Sequence, residues 1–306
     1  MKIENISELI YALIRNEKEK ISRSFETCIA CEKEGNTKYR LERAFEEYKR
    51  RQGTVILKEL DPAIQLLLSA PYRECGLNDL FLNDDVKRAT KRMLLEWNNK
   101  DYLIQNGFSP SNKILLEGPP GNGKTSYAIA LGKELNLPVL NTSSSLMLDS
   151  YLGKSEKNVT MLFTRMPENC ILLFDEFEAM VSSRVSSSES AGRAWNSIVT
   201  SFLVNMETIR PSILFIAATN RTDMMDSAVI RRFNVRIKFS NPSEAEKNAY
   251  VEQYLTNNQL NPDDFLFEQK SIKTAVSYAD LERIMRNRHK ELVIQKLLEG
   301  KDGKNG

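Results

Sequence analysis

Apolar positions along this 306-residue chain change their spacing twice, and each change marks a different kind of structure. Near the start, Ile3, Ile6, Leu9, Ile10, Leu13 and Ile14 recur every three or four residues, which puts them on one face of a helix. Leu41, Phe45 and Tyr48 make a second such stripe, and "EGNTK" at 34–38 reads as the turn between them. From about residue 76, short apolar runs alternate with helical segments: "KILLEG", "SYAIALGKEL", "PVLNTS", "ILLFDE" and "ILFIAATN". That alternation predicts an α/β fold in which a parallel sheet is covered by helices on both faces. After "KFSNP" at 238–242 the strand signals stop, and Leu281, Ile284, Met285, Leu292 and Leu298 form a last helical stripe. The expected organisation is a helical region over 1–75, an α/β domain over 76–240, a small helical domain over 241–298 and a disordered tail over 299–306. No internal repeat is visible, and the Ser-rich stretch at 182–190 reads as a short mobile loop.

Composition narrows the class of function. With 41% hydrophobic residues the chain can fill a sizeable core. Its 43 basic and 41 acidic residues leave a net charge of only +2, unlike the marked basic excess of a dedicated nucleic-acid binder. The apolar runs "ILLF" and "ILFIAA" are far shorter than the roughly 18 residues of a membrane-spanning helix. Glu4 and Glu8 interrupt the first apolar stripe and no small-residue cleavage site follows, so no signal peptide is expected. Cys28 and Cys31 form a lone CxxC, with Cys75, Cys170 and the single histidine, His289, far off in sequence. A zinc site needs about four ligands, so these read as reduced thiols in a cytoplasmic protein.

Two motifs carry chemistry. "EGPPGNGKTS" at 117–126 places Gly118 four residues before Gly123-Lys124-Thr125, between an apolar strand and a helical segment. This is the context of a phosphate-binding loop, in which glycines let backbone N–H groups surround phosphates at a helix N-terminus. Gly118, Pro119, Pro120, Gly121, Asn122, Gly123, Lys124, Thr125 and Ser126 are therefore candidate ATP-binding residues. Lys124 would neutralise the β and γ phosphates, and the Thr125 hydroxyl would ligate Mg²⁺. About 50 residues on, "ILLFDE" ends a buried strand with Asp175 and Glu176 at the edge where α/β sheets bind ligands. Asp175 is the second candidate for Mg²⁺, and Glu176 the candidate that orients and deprotonates the attacking water.

"GPPGNGKT", "LLFDEFE", "IAATNRTDMMDSAVIRRFNVRIKF" and "SYADLERI", in that order, resemble the motifs of the AAA ATPases over about residues 76–298. "AVIRRF" and "SFLVNME" are most similar to the katanin and spastin branch. The resemblance implies a P-loop NTPase-type parallel sheet sandwiched by helices, followed by a small helical lid. It also implies roles. Asn220 matches the polar sensor that holds the attacking water, and Arg231 and Arg232 match the paired arginines that reach into a neighbouring subunit's nucleotide site. Trans-acting arginines imply a self-assembled ring, usually of six. "SYADLERI" matches the lid near the adenine, with Gly76 and Leu77 on the other side. Arg283, Arg286 and Arg288 are nucleotide-sensing candidates by location only, and helix-surface charge is the plainer reading.

"SYLGKSEKNVTMLF" at 150–163 resembles the family's first pore loop, with Lys154 standing where an acid is common. Tyr151 would project into the central channel, with Leu152 and Gly153 beside it; the alternative is a core aromatic next to Leu148 or Leu152. "SSRVSSSESAGR" at 182–193 would be a second pore-facing loop. These features imply a Mg-ATP-hydrolysing motor that remodels, unfolds or translocates protein substrates. A nucleic-acid motor or loader and an ATP-switched scaffold are the alternatives, and no peptidase motif is present, so degradation would need a separate protease. The N-terminal helices read equally well as an adaptor or oligomerisation element and as a packing extension.

Overall fold

A computed structural model describes residues 3–14, 18–32, 35, 37–45, 60–71, 75–147, 152–181 and 189–302. The chain divides into two compact units, residues 1–60 and 61–306. In the first, helices α1 (Ile3–Ile14), α2 (Lys18–Ala30) and α3 (37–45) bury Leu9, Ile21, Phe25, Cys28 and Phe45 in a small core, with Phe25 stacked on Phe45. Tyr48, from the expected second stripe, lies outside the described residues.

The second unit starts at Asp61, earlier than the change of pattern at about 76 suggests. A short helix, Pro62–Gln65, buries Ile64, and Ser69 then exchanges two 2.8 Å backbone hydrogen bonds with Asn141. This bridge covers the edge of strand β2, which would otherwise present open backbone groups.

Five parallel strands, β1 (Lys113–Glu117), β2 (Val139–Ser143), β3 (Cys170–Asp175), β4 (Ile213–Thr219) and β5 (Val235–Lys238), form one sheet in the order β2-β3-β4-β1-β5. The α/β expectation holds. Every residue of β4 is buried, as are the first five of β3, because both sheet faces are covered and no solvent side remains to alternate with. Ile171, Leu173, Leu214 and Ile216 face one core with Tyr127 and Leu131 of helix α5 (Lys124–Glu134), and α4 (Asp84–Asn98) adds Val86, Met93 and Trp97. On the opposite face Phe174 and Phe215 meet Phe163 of α6 (Leu152–Arg165), Phe202 of α7 (Glu189–Glu207), Phe177 and Phe233, with ring centroids 5.1–6.1 Å apart. Gly132 lets α5 approach the sheet: a Cβ there would lie 2.3 Å from Val139 Cγ2.

Beyond β5 the chain is helical. Helices α8 (Glu244–Asn258), α9 (Gln269–Thr274) and α10 (Tyr278–Asp302), with a 3₁₀ segment at Pro262–Glu268, surround Leu255, Phe265, Ile272, Leu281 and Met285. Ile284 and Leu292 pack against this cluster, but Leu298 is exposed. Helix α10 runs to Asp302, so the expected tail over 299–306 begins as helix, and 303–306 lie outside the described residues. None of the described helices is long and apolar enough to cross a membrane.

Candidate functional site

Strands β1, β3 and β4 are neighbours, so the loops leaving their C-terminal ends meet. The loop after β1 is tightly drawn. Gly118 has φ 144° and donates its N–H to Thr219 O at 3.3 Å, and a Cβ there would fall 1.9 Å from Phe239 O. Only glycine fits this crossing. Gly123, also at positive φ, then caps α5 and leads directly into Lys124.

Lys124 is buried, and its Nζ donates to Gly118 O at 2.7 Å, Pro119 O at 2.9 Å and Asn220 Oδ1 at 2.7 Å. Burial pulls its pKa below the usual lysine value, and the charges of Asp175 and Glu178 act in the opposite sense. Next to it, Thr125 Oγ1 donates to Asp175 Oδ2 at 2.9 Å. Asp175 Oδ1 accepts from the Glu176 N–H at 3.0 Å. Glu176 takes the left-handed conformation at φ 51° and is exposed. That turn lets the next residue, Phe177, enter the core and donate its N–H to Ala218 O of β4 at 3.0 Å.

The structure thus brings Lys124, Thr125, Asp175, Glu176 and Asn220 to one edge of the sheet. Asn122 faces the other way. Its buried amide donates to Asn241 Oδ1 at 2.7 Å and accepts the Tyr278 N–H at 3.3 Å, while Gly121 O accepts the Ala279 N–H at 2.9 Å. The start of α10 is therefore hydrogen-bonded to the loop. Between them lies a small cleft lined by Phe81, Leu82, Val86, Asn122, Phe239 and Tyr278, with the Phe81 and Tyr278 rings 5.5 Å apart. Ser126 has its carbonyl oxygen bonded by the Cys75 thiol at 3.2 Å.

Other candidates lie apart from this cluster. Arg232 pairs with Glu207 of its own chain, whereas Arg231 is exposed. Arg283, Arg286 and Arg288 pair with Asp280, Glu282 and Glu291 on the surface of α10. Leu152 and Gly153 open α6, while Tyr151 and residues 182–188 of the second expected loop lie outside the described residues. Sequence reasoning gave no role to Asn241, Glu207 or Glu178. Of these, only Glu178 left a signal, as the third acid of "DEFE".

Comparison with known proteins agrees with this geometry. The family model described as "ATPase family associated with various cellular activities (AAA)" matches residues 114–241. An uncharacterized AAA family ATPase of Sinorhizobium fredii is 29% identical over 225 residues, covering 73% of this chain and 67% of that protein. Spastin of Drosophila melanogaster is 33% identical over 184 residues, covering 58% of this chain and 24% of spastin. Peroxisomal ATPase PEX6 of Dictyostelium discoideum is 32% identical over 161 residues, 51% of this chain and 13% of that one. The match spans a quarter or less of these last two proteins.

Proposed function

We propose that the chain, which belongs to the AAA ATPase family and hydrolyses ATP, works as one subunit of a ring that remodels protein substrates through a central channel. The observation that carries the reading is the convergence of Lys124 on Asn220 at 2.7 Å and of Thr125 on Asp175 at 2.9 Å. Both pairs stand at the C-terminal ends of adjacent parallel strands, where α/β sheets bind ligands. Gly118 to Ser126 would wrap the phosphates, with Lys124 exchanging its loop carbonyls and Asn220 for the β and γ phosphate oxygens. Thr125 and Asp175 offer hard oxygen donors side by side, a set that suits Mg²⁺. Mg²⁺, when bound, neutralises charge on the phosphates.

Exposed Glu176 would take the proton of the attacking water, and Asn220 would hold that water in line. Arg231 and Arg232 would serve the neighbouring subunit's site, which is why the working unit is a ring, six-membered by family resemblance. The cleft between Phe81, Asn122 and Tyr278 is the candidate seat of the adenine. Tyr151, Leu152 and Gly153 are assigned to the channel by resemblance alone. The 1–60 unit has a core of its own, which suits an adaptor or oligomerisation element.

The test is a trap. Tagged Glu176→Gln should bind ATP without turnover and, expressed in the native host, retain full-length proteins that Lys124→Ala does not. Enriched substrate proteins support the reading. Nuclease-sensitive nucleic acid with no enriched protein would replace it with a nucleic-acid motor.

A further inference from the structure

Glu178 is the one acid of "DEFE" without a role in the scheme above, and its surroundings give it one. It opens the short helix Glu178–Val181 just after the chain has crossed the end of β4. Its Oε1 accepts the backbone N–H of Asn220 at 3.2 Å. Its Oε2 is buried and has no hydrogen-bond partner among the described residues. A carboxylate oxygen left dry is costly to the fold, so its retention calls for an explanation.

Asn220 itself is exposed and sits one residue past the end of β4, beyond the reach of the strand ladder. Two side-chain acceptors replace the ladder there. Thr219 Oγ1 takes the Arg221 N–H at 3.1 Å, and Glu178 takes the Asn220 N–H. With its backbone held in this way, the Asn220 side chain reaches Lys124 Nζ.

We infer that Glu178 is a positioning residue for Asn220: by fixing the Asn220 backbone, it aims the amide that must face the attacking water. The inference rests on the proposed role of Asn220. The competing account is that Glu178 merely places negative charge in the first turn of its short helix.

The two accounts rank substitutions in opposite order. Glu178→Gln keeps the length and an acceptor oxygen but removes the charge, whereas Glu178→Asp keeps the charge and withdraws it by one methylene. Steady-state ATP hydrolysis by the full chain, with kcat and KM resolved, separates them. Positioning predicts that Glu178→Asp lowers kcat by about tenfold, the value of roughly one hydrogen bond, while Glu178→Gln stays within about threefold of wild type. KM for ATP should change little in either. Placed in an Asn220→Ala background, Glu178→Asp should cost almost nothing more, because the residue it positions is gone. An equal loss from Glu178→Asp in both backgrounds, or a Gln variant worse than the Asp variant, would overturn the inference. Failure of the underlying reading looks different: Asn220→Ala alone would then turn over ATP at the wild-type rate.

Discussion

Arg232 is tied to Glu207 within its own chain, its Nη2 2.8 Å from Glu207 Oε1, and its Nη1 also donates to Ala228 O at 2.9 Å. The adjacent Arg231 donates its backbone N–H to Ser227 O at 3.1 Å, but it is exposed and its guanidinium makes no hydrogen bond or ion pair among the described residues. Two arginines that look equivalent in sequence therefore start from different states. In the proposed ring, Arg231 would be free to reach a neighbouring subunit, while Arg232 would first have to leave Glu207.

Arg231→Ala and Arg232→Ala are both expected to spare nucleotide binding, and Arg231→Ala should cut turnover by about 10³ or more, the range of an arginine supplied in trans. The check is hydrolysis measured across a series of protein concentrations beside equilibrium binding of a fluorescent ATP analogue. Normal turnover by Arg231→Ala at every concentration would remove it from the neighbour's site.

Lys124→Ala should abolish nucleotide binding, since the alanine leaves the phosphates without their buried cation. The environment of this lysine also sets a pH dependence. Its pKa is lowered, mainly by burial, so its charge is lost on raising pH before that of an ordinary lysine, near about 10.4. ATP affinity should therefore start to fall on the alkaline side earlier than a solvent-exposed lysine would allow. Titrating the analogue at stepped pH reads this directly; affinity flat to the ordinary lysine range would contradict it.

Gly118→Ala tests the loop independently of function. A Cβ 1.9 Å from Phe239 O, at φ 144°, forces β1 and the segment after β5 apart. Overpacking of this kind, added to the backbone strain, should cost about 3 kcal/mol, or roughly 6–12 °C in a domain of this size. A nucleotide-free thermal melt measures it. An unchanged melting temperature would mean that the loop does not pass so close to Phe239.

The parts of this molecule legible in sequence are those fixed by local pattern. "ILLF" and "ILFIAA" announce β3 and β4 because a strand buried on both faces has no polar alternation to hide it. The placement of Lys124 and Thr125 at the start of α5 is legible because the glycine spacing before them dictates a tight turn from strand to helix. What stayed hidden depends on partners distant along the chain. Residues 61–75 read as an extension of the N-terminal helices, since nothing near Ser69 hints that it pairs with Asn141 across 72 positions. Glu178 looks like a solvated acid at a turn until the Asn220 N–H is brought to it. Leu298 continues a stripe that the helix carries beyond its core, so periodicity alone mistook exposed surface for packing.

The junction of the loop with α10 provides a last prediction. Ser277 and Asp280 cap this helix reciprocally: Ser277 Oγ accepts the Asp280 N–H at 3.2 Å, and Asp280 Oδ2 accepts the Ser277 N–H at 3.2 Å and its hydroxyl at 2.9 Å. Ser277→Ala should lower stability by about 1 kcal/mol, the usual cost of a lost N-cap. The Ser277 hydroxyl, with further help from backbone N–H groups and Arg283, holds the Asp280 carboxyl below its ordinary pKa. A carboxylate with a depressed folded pKa stabilises the protein above its unfolded value, about 3.9, and that contribution disappears as pH falls through the folded value. Asp280→Asn should therefore melt earlier than wild type at pH 7, and the gap should close as both are acidified below the ordinary carboxylate range. Because Ala279 of the same turn donates to Gly121 O, a gap that persisted in acid would mean that Asp280 braces α10 against the phosphate loop through shape rather than charge.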